Sequence, residues 1–344
     1  MSPLWLRMDR PRYVVALCCL LFIGTNFVNK YVLSVLQFTY PTIFQGWQTL
    51  VGAIVLRILI STGTMEPLLS DIHRVELGLW LPGMIMFVTS IYSASKALAA
   101  LPIPVFISLQ NIVLVFRSTA TIAITGKWTG GFVYAMLMLI IISSVAIAKT
   151  DPQFNQDAYF WMCVHIVSNG LHQIYSRLVS GKLKLSSHEK LYSSYIYSII
   201  VLAPSSYFLG DALEASKFPL LFFAKFYMGC ILSGVFGIFL SLSFIYLQDS
   251  TDVVHVDADM VEGVAKIMTS ILSLLVFQIP LTGNHAIWLV VNHLCALACS
   301  ESPTDNRPEF PFVQSEASTE SHDSLKYLKR DELQQDMIRV DVIS

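Results

Sequence analysis

Ten apolar stretches, each close to the length of a bilayer crossing, follow one another from Tyr13 to about Ser300. About 20 apolar residues in a helix span the hydrocarbon core, and only helices or closed barrels satisfy their backbone there. The stretches are Tyr13–Leu33, Ile43–Ser61, Leu77–Leu98, Ile103–Thr125, Phe132–Lys149, Ala158–Val179, Leu191–Leu209, Pro219–Leu247, Met260–Ile279 and His285–Ser300. The expected fold is therefore an all-α integral membrane protein of about ten transmembrane helices, in two five-helix halves. The eighth stretch is long enough to tilt or to break near Gly234 and Gly237. The tenth is short and carries Asn292 and His293.

Apolar residues make up 54% of the chain and charged residues only 13%. That balance belongs to the membrane class and excludes an ordinary soluble domain. Prolines 41, 67, 102, 152, 204 and 280 fall at or near span ends, where a missing N–H does least harm. Six cysteines lie in apolar stretches without a zinc or disulfide spacing. Arg7, Arg10 and Arg12 precede the first stretch as in a signal peptide, but its length favours a retained helix.

Basic residues in the short connections set the orientation. With the N-terminus in the cytosol, Arg74, Lys127, Arg177, Lys182, Lys184 and Lys190 join the three N-terminal arginines on that side. Lys149 and Lys217 fall opposite. This gives an N-in, C-in topology. The expected divisions are residues 1–12 as a cytosolic N-terminus, 13–149 and 150–300 as the halves, and 301–344 as a disordered tail rich in Ser, Pro, Asp and Glu.

A charge at mid-membrane costs about 2.5–3.5 kcal/mol on insertion scales, so it faces a cavity or a partner. Lys30, Lys96, Arg117 and Lys266 need that explanation. Lys30 fits either snorkelling at the end of the first span or a substrate contact beside Asn29. Asn26 and Asn29 share a face that meets a neighbouring helix or a cavity. Tyr92, Ser93, Ser95 and Lys96 close the third span, and Gln110 and Asn111 stand in the fourth, after the Pro102 reversal. Together they offer a lysine, amides and hydroxyls to a phosphate or sugar, or else form a structural seam. Arg117 suits a diphosphate, an ion pair with Glu262, or the membrane edge. Lys266 stands one turn from Glu262 and is able to pair with it. His165 and His172, seven residues apart, read as helix-packing histidines and not as zinc ligands. Neither a catalytic triad nor a phosphate-binding Gly-rich loop stands out, and no cofactor is expected.

These residues carry a resemblance to the nucleotide-sugar transporters of the drug/metabolite transporter superfamily, nearest the Golgi GDP-mannose branch. Thr25-Asn26-Phe27-Val28-Asn29-Lys30-Tyr31-Val32 is similar to that branch's first helix. Ser95-Lys96-Ala97-Leu98, Ile103-Pro104-Val105-Phe106 and Asn111 follow its third and fourth, and Tyr159-Phe160-Trp161-Met162 its sixth. An orphan subgroup of the family is the nearest match. The branch's Phe-Tyr-Asn-Asn motif falls near Leu191-Tyr192-Ser193-Ser194, which keeps the tyrosine and loses both amides. Its Gly-Ala-Leu-Asn-Lys motif falls on Glu262-Gly263-Val264-Ala265-Lys266, which keeps the lysine and loses the asparagine. Asp252, Asp257, Asp259 and Glu262 contrast with the branch's acid-free start to this helix.

The resemblance implies exchange of a cytosolic nucleotide sugar for a lumenal nucleoside monophosphate across the Golgi membrane, the endoplasmic reticulum being the alternative compartment. Lost amides lean the base away from guanine and toward a UDP-sugar such as UDP-N-acetylglucosamine; GDP-mannose is the alternative. The implied contacts are Asn29, Lys30, Tyr92, Lys96, Asn111, Arg117, Tyr192, Ser193, Ser194 and Lys266. The partners are the bilayer, the nucleotide sugar and the monophosphate, without nucleic acid, and a homodimer is compatible. A membrane enzyme acting on lipid-linked sugars and a non-transporting scaffold are the rivals of other classes.

Overall fold

The computed structural model describes residues 11–65, 74–125, 130–180, 182–183, 185–249 and 257–300. The tail at 301–344, the N-terminal arginines 7 and 10, and Lys127, Lys184 and Asp252 lie outside them. The described residues are all-α. The helices are α1 Pro11–Lys30, α2 Pro41–Ser61, α3 Arg74–Ala100, α4 Ile103–Gln110, α5 Ile112–Thr125, α6 Gly131–Thr150, α7 Gln156–Ser180, α8 Ser187–Phe208, α9 Asp211–Ala215, α10 Ala224–Asp249, α11 Ala258–Phe277 and α12 Gly283–Ser300.

Seven segments among the described residues are long and apolar enough to cross a membrane: Tyr13–Val35, Pro41–Ser61, Val75–Ala100, Ile103–Ala123, Gly131–Thr150, Ala224–Gln248 and Ala258–Phe277. The sixth, seventh and tenth expected spans form α7, α8 and α12, of 25, 22 and 18 residues. These three are more polar because their histidines, serines and amides turn inward.

Burial differs from that of a soluble protein on both sides of the shell: apolar side chains such as Trp80 and Ile140 fill much of the interior, yet large apolar residues also face outward and polar ones lie buried among them. Leu20, Phe208 and Leu275 are 67, 83 and 73% exposed, whereas Ser93, Ser108, Asn111, Ser143 and Asn292 are wholly buried. Without a hydrophobic drive between helices in lipid, packing and interhelical hydrogen bonds hold such a bundle. Small residues allow the approach: a Cβ on Gly234 would stand 2.7 Å from the Val51 side chain.

Local chemistry sets several ends that differ from expectation. α8 starts at Ser187, ahead of Leu191, because Ser186 and Glu189 form a reciprocal capping box. Gly210, at φ 82°, turns the chain out of α8 into the unanticipated helix α9. The first span continues past Lys30 as a π-helical turn, Tyr31–Val35. The eighth does not break at Gly234 or Gly237: α10 is continuous there, and Pro219–Phe222 form a separate 3-10 turn before it. The break lies in the fourth span, at Asn111, between α4 and α5.

The most extensive pairings are α3 with α7, α6 with α12, α2 with α8, and α1 with α10. α4 packs on α11 and α5 on α7, while α1 also packs on α11. From Ile103 to Leu109 every residue of α4 is buried, so this half-helix runs through the middle of the bundle.

Candidate functional site

Between α4 and α5, Asn111 keeps right-handed helical dihedrals (φ −64°, ψ −18°) while the backbone bonds tighten to an i→i−3 pattern, and its side chain faces the bundle interior. Asn111 Oδ1 accepts a hydrogen bond from Lys266 Nζ of α11 at 3.1 Å. Its Nδ2 donates to Asn292 Oδ1 of α12 at 2.9 Å. Asn292 Nδ2 in turn donates to Ser143 and Ser144 Oγ of α6, at 2.9 and 3.0 Å. Lys266 also pairs with Glu262 Oε1 at 2.8 Å, as its spacing suggests. One relay thus joins α4, α6, α11 and α12. The lysine side chain is 9% exposed and that of Glu262 is 42% exposed.

Two histidines flank the relay. His293 Nε2 lies 3.1 Å from Ser108 Oγ and 2.9 Å from Ser270 Oγ. His165 Nδ1 donates to the Ser90 carbonyl at 3.0 Å, which leaves Nε2 to accept from Gln110 Nε2 at 3.1 Å. The His165 ring stacks on Phe106. Both are hydrogen-bonded packing residues, and no metal-binding group of His, Cys, Asp and Glu is found among the described residues.

Nearer the start of α11, Arg117 binds Asp259 through two parallel bonds, Nη1 to Oδ1 at 3.0 Å and Nη2 to Oδ2 at 2.7 Å. The sequence left a diphosphate, Glu262 and the membrane edge as options for Arg117; the ion pair it makes is with Asp259, one turn before Glu262, in fork geometry. The acidic run also has its explanation here. Asp257 accepts from the Asp259 N–H at 2.9 Å and caps α11, Asp259 holds Arg117, and Glu262 holds Lys266. Acids in a first turn also suit the helix dipole. α11 is thus a formed helix and the acids support it.

The other expected contacts are dispersed. Lys30 Nζ donates to the carbonyls of Leu98 at 2.9 Å, Ala99 at 3.4 Å and Leu101 at 2.8 Å. These carbonyls surround the end of α3, where intrahelical donors run out before Pro102. In this conformation Lys30 therefore clamps one helix end to another. Asn29 Oδ1 accepts from Ser233 Oγ of α10 at 2.6 Å. Tyr92 meets Trp161 edge to face, and Lys96 is half-buried with no hydrogen bond or ion pair among the described residues. Ser193 and Ser194 bond back to the Lys190 carbonyl, and Ser194 Oγ also accepts from Trp80 Nε1 at 3.2 Å. Tyr192 packs against the cluster of Leu56, Tyr195 and Leu242.

Asn111 and Lys266 are thus brought together, and Arg117 lies near the same helix, while Asn29, Lys30, Tyr92, Tyr192, Ser193 and Ser194 occupy other seams. Asn292, His293, Ser143, Ser144, Ser108 and Ser270 were missed. The adjacent Asn292 and His293 at the middle of a short apolar stretch were the available signal.

An inward-facing polar relay inside a lipid-facing helical shell defines a polytopic membrane protein with a polar interior. No protein-family model matches the chain. It is 37% identical over 274 residues to a Xenopus laevis protein named UDP-N-acetylglucosamine transporter TMEM241 homolog, covering 79% of this chain and 90% of that one. It is 35% identical to the mouse UDP-N-acetylglucosamine transporter TMEM241 over 264 residues, covering 77 and 87%. A GDP-mannose transporter of Chaetomium globosum is more distant, at 25% identity over 81% of this chain and 75% of its own length. A solved crystal structure at 11% identity superposes with a TM-score of 0.50 over 83% of this chain and 97% of its own, a likeness of fold alone. The chain belongs to the nucleotide-sugar transporter family. Its relatives are transporters and not enzymes, which sets the lipid-linked-sugar enzyme aside.

Proposed function

We infer that the protein carries UDP-N-acetylglucosamine from the cytosol into the Golgi lumen in exchange for UMP. The observation that carries this reading is the Lys266–Asn111 pair, a buried cation with a positioned amide at the break of a central helix. The named substrate of the two most similar relatives described above supports the base and sugar. Serines at 193 and 194, in place of a purine-reading amide pair, point the same way.

The architecture under this reading is ten crossings in two five-helix halves, with both ends cytosolic. Taking α4 and α5 as one crossing and leaving α9 aside, helix n of one half corresponds to helix n+5 of the other. The pairing of α3 with α7 then maps onto that of α10 with α1, and α5 with α7 maps onto α11 with α1. The pairings of α2 with α8, α6 with α12 and α4 with α11 map onto themselves. Such exchange symmetry is what alternating access by repeats requires, with the site between them. Lys266 and Arg117 neutralise phosphate, Asn111 orients it, and Tyr192, Ser193 and Ser194 meet the base or sugar once the two hydroxyls leave the Lys190 carbonyl. Asn29, Lys30, Tyr92 and Lys96 form the remaining rim.

Purified protein in proteoliposomes tests this. Preloaded UMP is expected to accelerate entry of UDP-N-acetylglucosamine. Acceleration by GMP and entry of GDP-mannose in its place would transfer the assignment to the purine branch. No acceleration of any nucleotide sugar by any monophosphate would remove exchange altogether.

A further inference from the structure

On α11, Asp259, Glu262 and Lys266 follow at intervals of three and four residues, so they share one helix face. Two carboxylates on that face each neutralise a cation: Asp259 holds Arg117 from α5, and Glu262 holds Lys266. Two adjacent negative charges, one at each cation, are also what the phosphates of a nucleotide present. The two ends of the Lys266 pair differ in a useful way. Lys266 has a second partner in Asn111 Oδ1, so it stays in place if the carboxylate leaves. Glu262 is 42% exposed and, apart from the nearby Arg117 charge, is held through its pair with Lys266, so solvent is open to its carboxylate when the lysine is taken by another anion.

We propose that Glu262, seconded by Asp259, is the built-in counter-ion of the empty carrier: it occupies Lys266 until a nucleotide phosphate displaces it, and returns when the nucleotide leaves. This rests on the nucleotide-exchange reading and adds what the cations do between cargoes. Two consequences follow from the charges. Substrate binding competes with an internal carboxylate, which weakens it. The empty interior carries no uncompensated cation at this cluster, since each of the two is paired, so the unloaded protein is able to reorient without dragging bare charge through hydrocarbon. Exchange is then favoured but not obligatory.

The test uses the full chain, with UMP as the probe, by calorimetry in detergent and uptake in proteoliposomes. Glu262→Gln is expected to tighten UMP binding about two- to fivefold, the range of a half-exposed ion pair. In a Lys266→Ala background the same change should tighten UMP binding by clearly less, since only the influence of Glu262 on Arg117 is left. Uptake of UDP-N-acetylglucosamine into vesicles without UMP should fall in Glu262→Gln, while the stimulation by preloaded UMP rises. A carboxylate that merely stabilised α11 would weaken binding when removed, and would do so with or without Lys266. Asp259→Asn, which releases Arg117, is the second variant should Glu262→Gln not fold, and is expected to tighten UMP as well. The proposal is overturned if UMP binds the folded variant no more tightly than the parent, or tightens equally without Lys266. Binding of UMP without any transport would overturn the exchange reading and leave the binding comparison to decide this one.

Discussion

At the residue scale, the interior cations divide by what holds them. Lys30 is spent on helix-end carbonyls, whereas Lys266 rests on an amide and a half-exposed carboxylate. Lys30→Met keeps the stem and strands the carbonyls of Leu98 and Leu101. A buried acceptor left without a donor costs about 1–3 kcal/mol, so the melting temperature in detergent should drop by several degrees. An unchanged melting curve would show that these carbonyls find other donors. Lys266→Ala should leave insertion intact, with a modest fall in melting temperature from the stranded Asn111 Oδ1, while lowering uptake of UDP-N-acetylglucosamine at least tenfold. Retained uptake would take this lysine out of the transport cycle. Asn292→Ala removes the support of Asn111 from α12 and α6; KM is expected to rise several-fold, and Asn292→Gln should not restore it, because the longer amide cannot keep the 2.9 Å register with Asn111.

The elements owe their placement to a few close approaches and caps. Gly234 lets α10 meet α2 at Val51, so Gly234→Val forces side chains together where only hydrogen now fits. Overpacking of this kind costs about 1–3 kcal/mol, and the variant should melt earlier and express less. A variant of normal stability would mean that α10 shifts to make room. The interruption at Asn111 has a different character, since it tightens the helix locally at a residue whose side chain points inward. Helix interruptions of this sort in membranes are tolerated where the bundle interior satisfies the freed backbone. Here Asn111 N–H bonds Ser108 O at 3.1 Å, and Leu114 N–H bonds Asn111 O at 3.0 Å, which closes the gap.

For the molecule as a whole, the proposed N-in, C-in orientation predicts which connections are reachable from the cytosol. Single cysteines at 182 and 217, in a background lacking exposed Cys163, should label from opposite sides of sealed Golgi vesicles. Labelling of both from one side would refute the ten-crossing topology. The proposed pair of halves needs no sequence self-similarity, because the helix pairings already exchange between them. Packing depends on where small and polar residues face, and many sequences satisfy the same pairing.

The sequence by itself determined that the chain is a helical membrane protein, because apolar length and backbone hydrogen bonding leave no other solution in lipid. It also marked Lys266, its pairing with Glu262, and Asn111, since a charge or amide in an apolar run is conspicuous against its surroundings. It offered a break in the eighth span and none in the fourth, left Arg117 open between a diphosphate, Glu262 and the membrane edge without naming Asp259, and noted Asn292 without joining it to Asn111 or the serines behind it. Those depend on which faces of α4, α6, α11 and α12 meet across 140 to 180 residues of chain, and no local pattern encodes that register. Only the tertiary structure decided which buried cations bind backbone carbonyls and which bind side chains, because that depends on the partners the packing brings within hydrogen-bond distance.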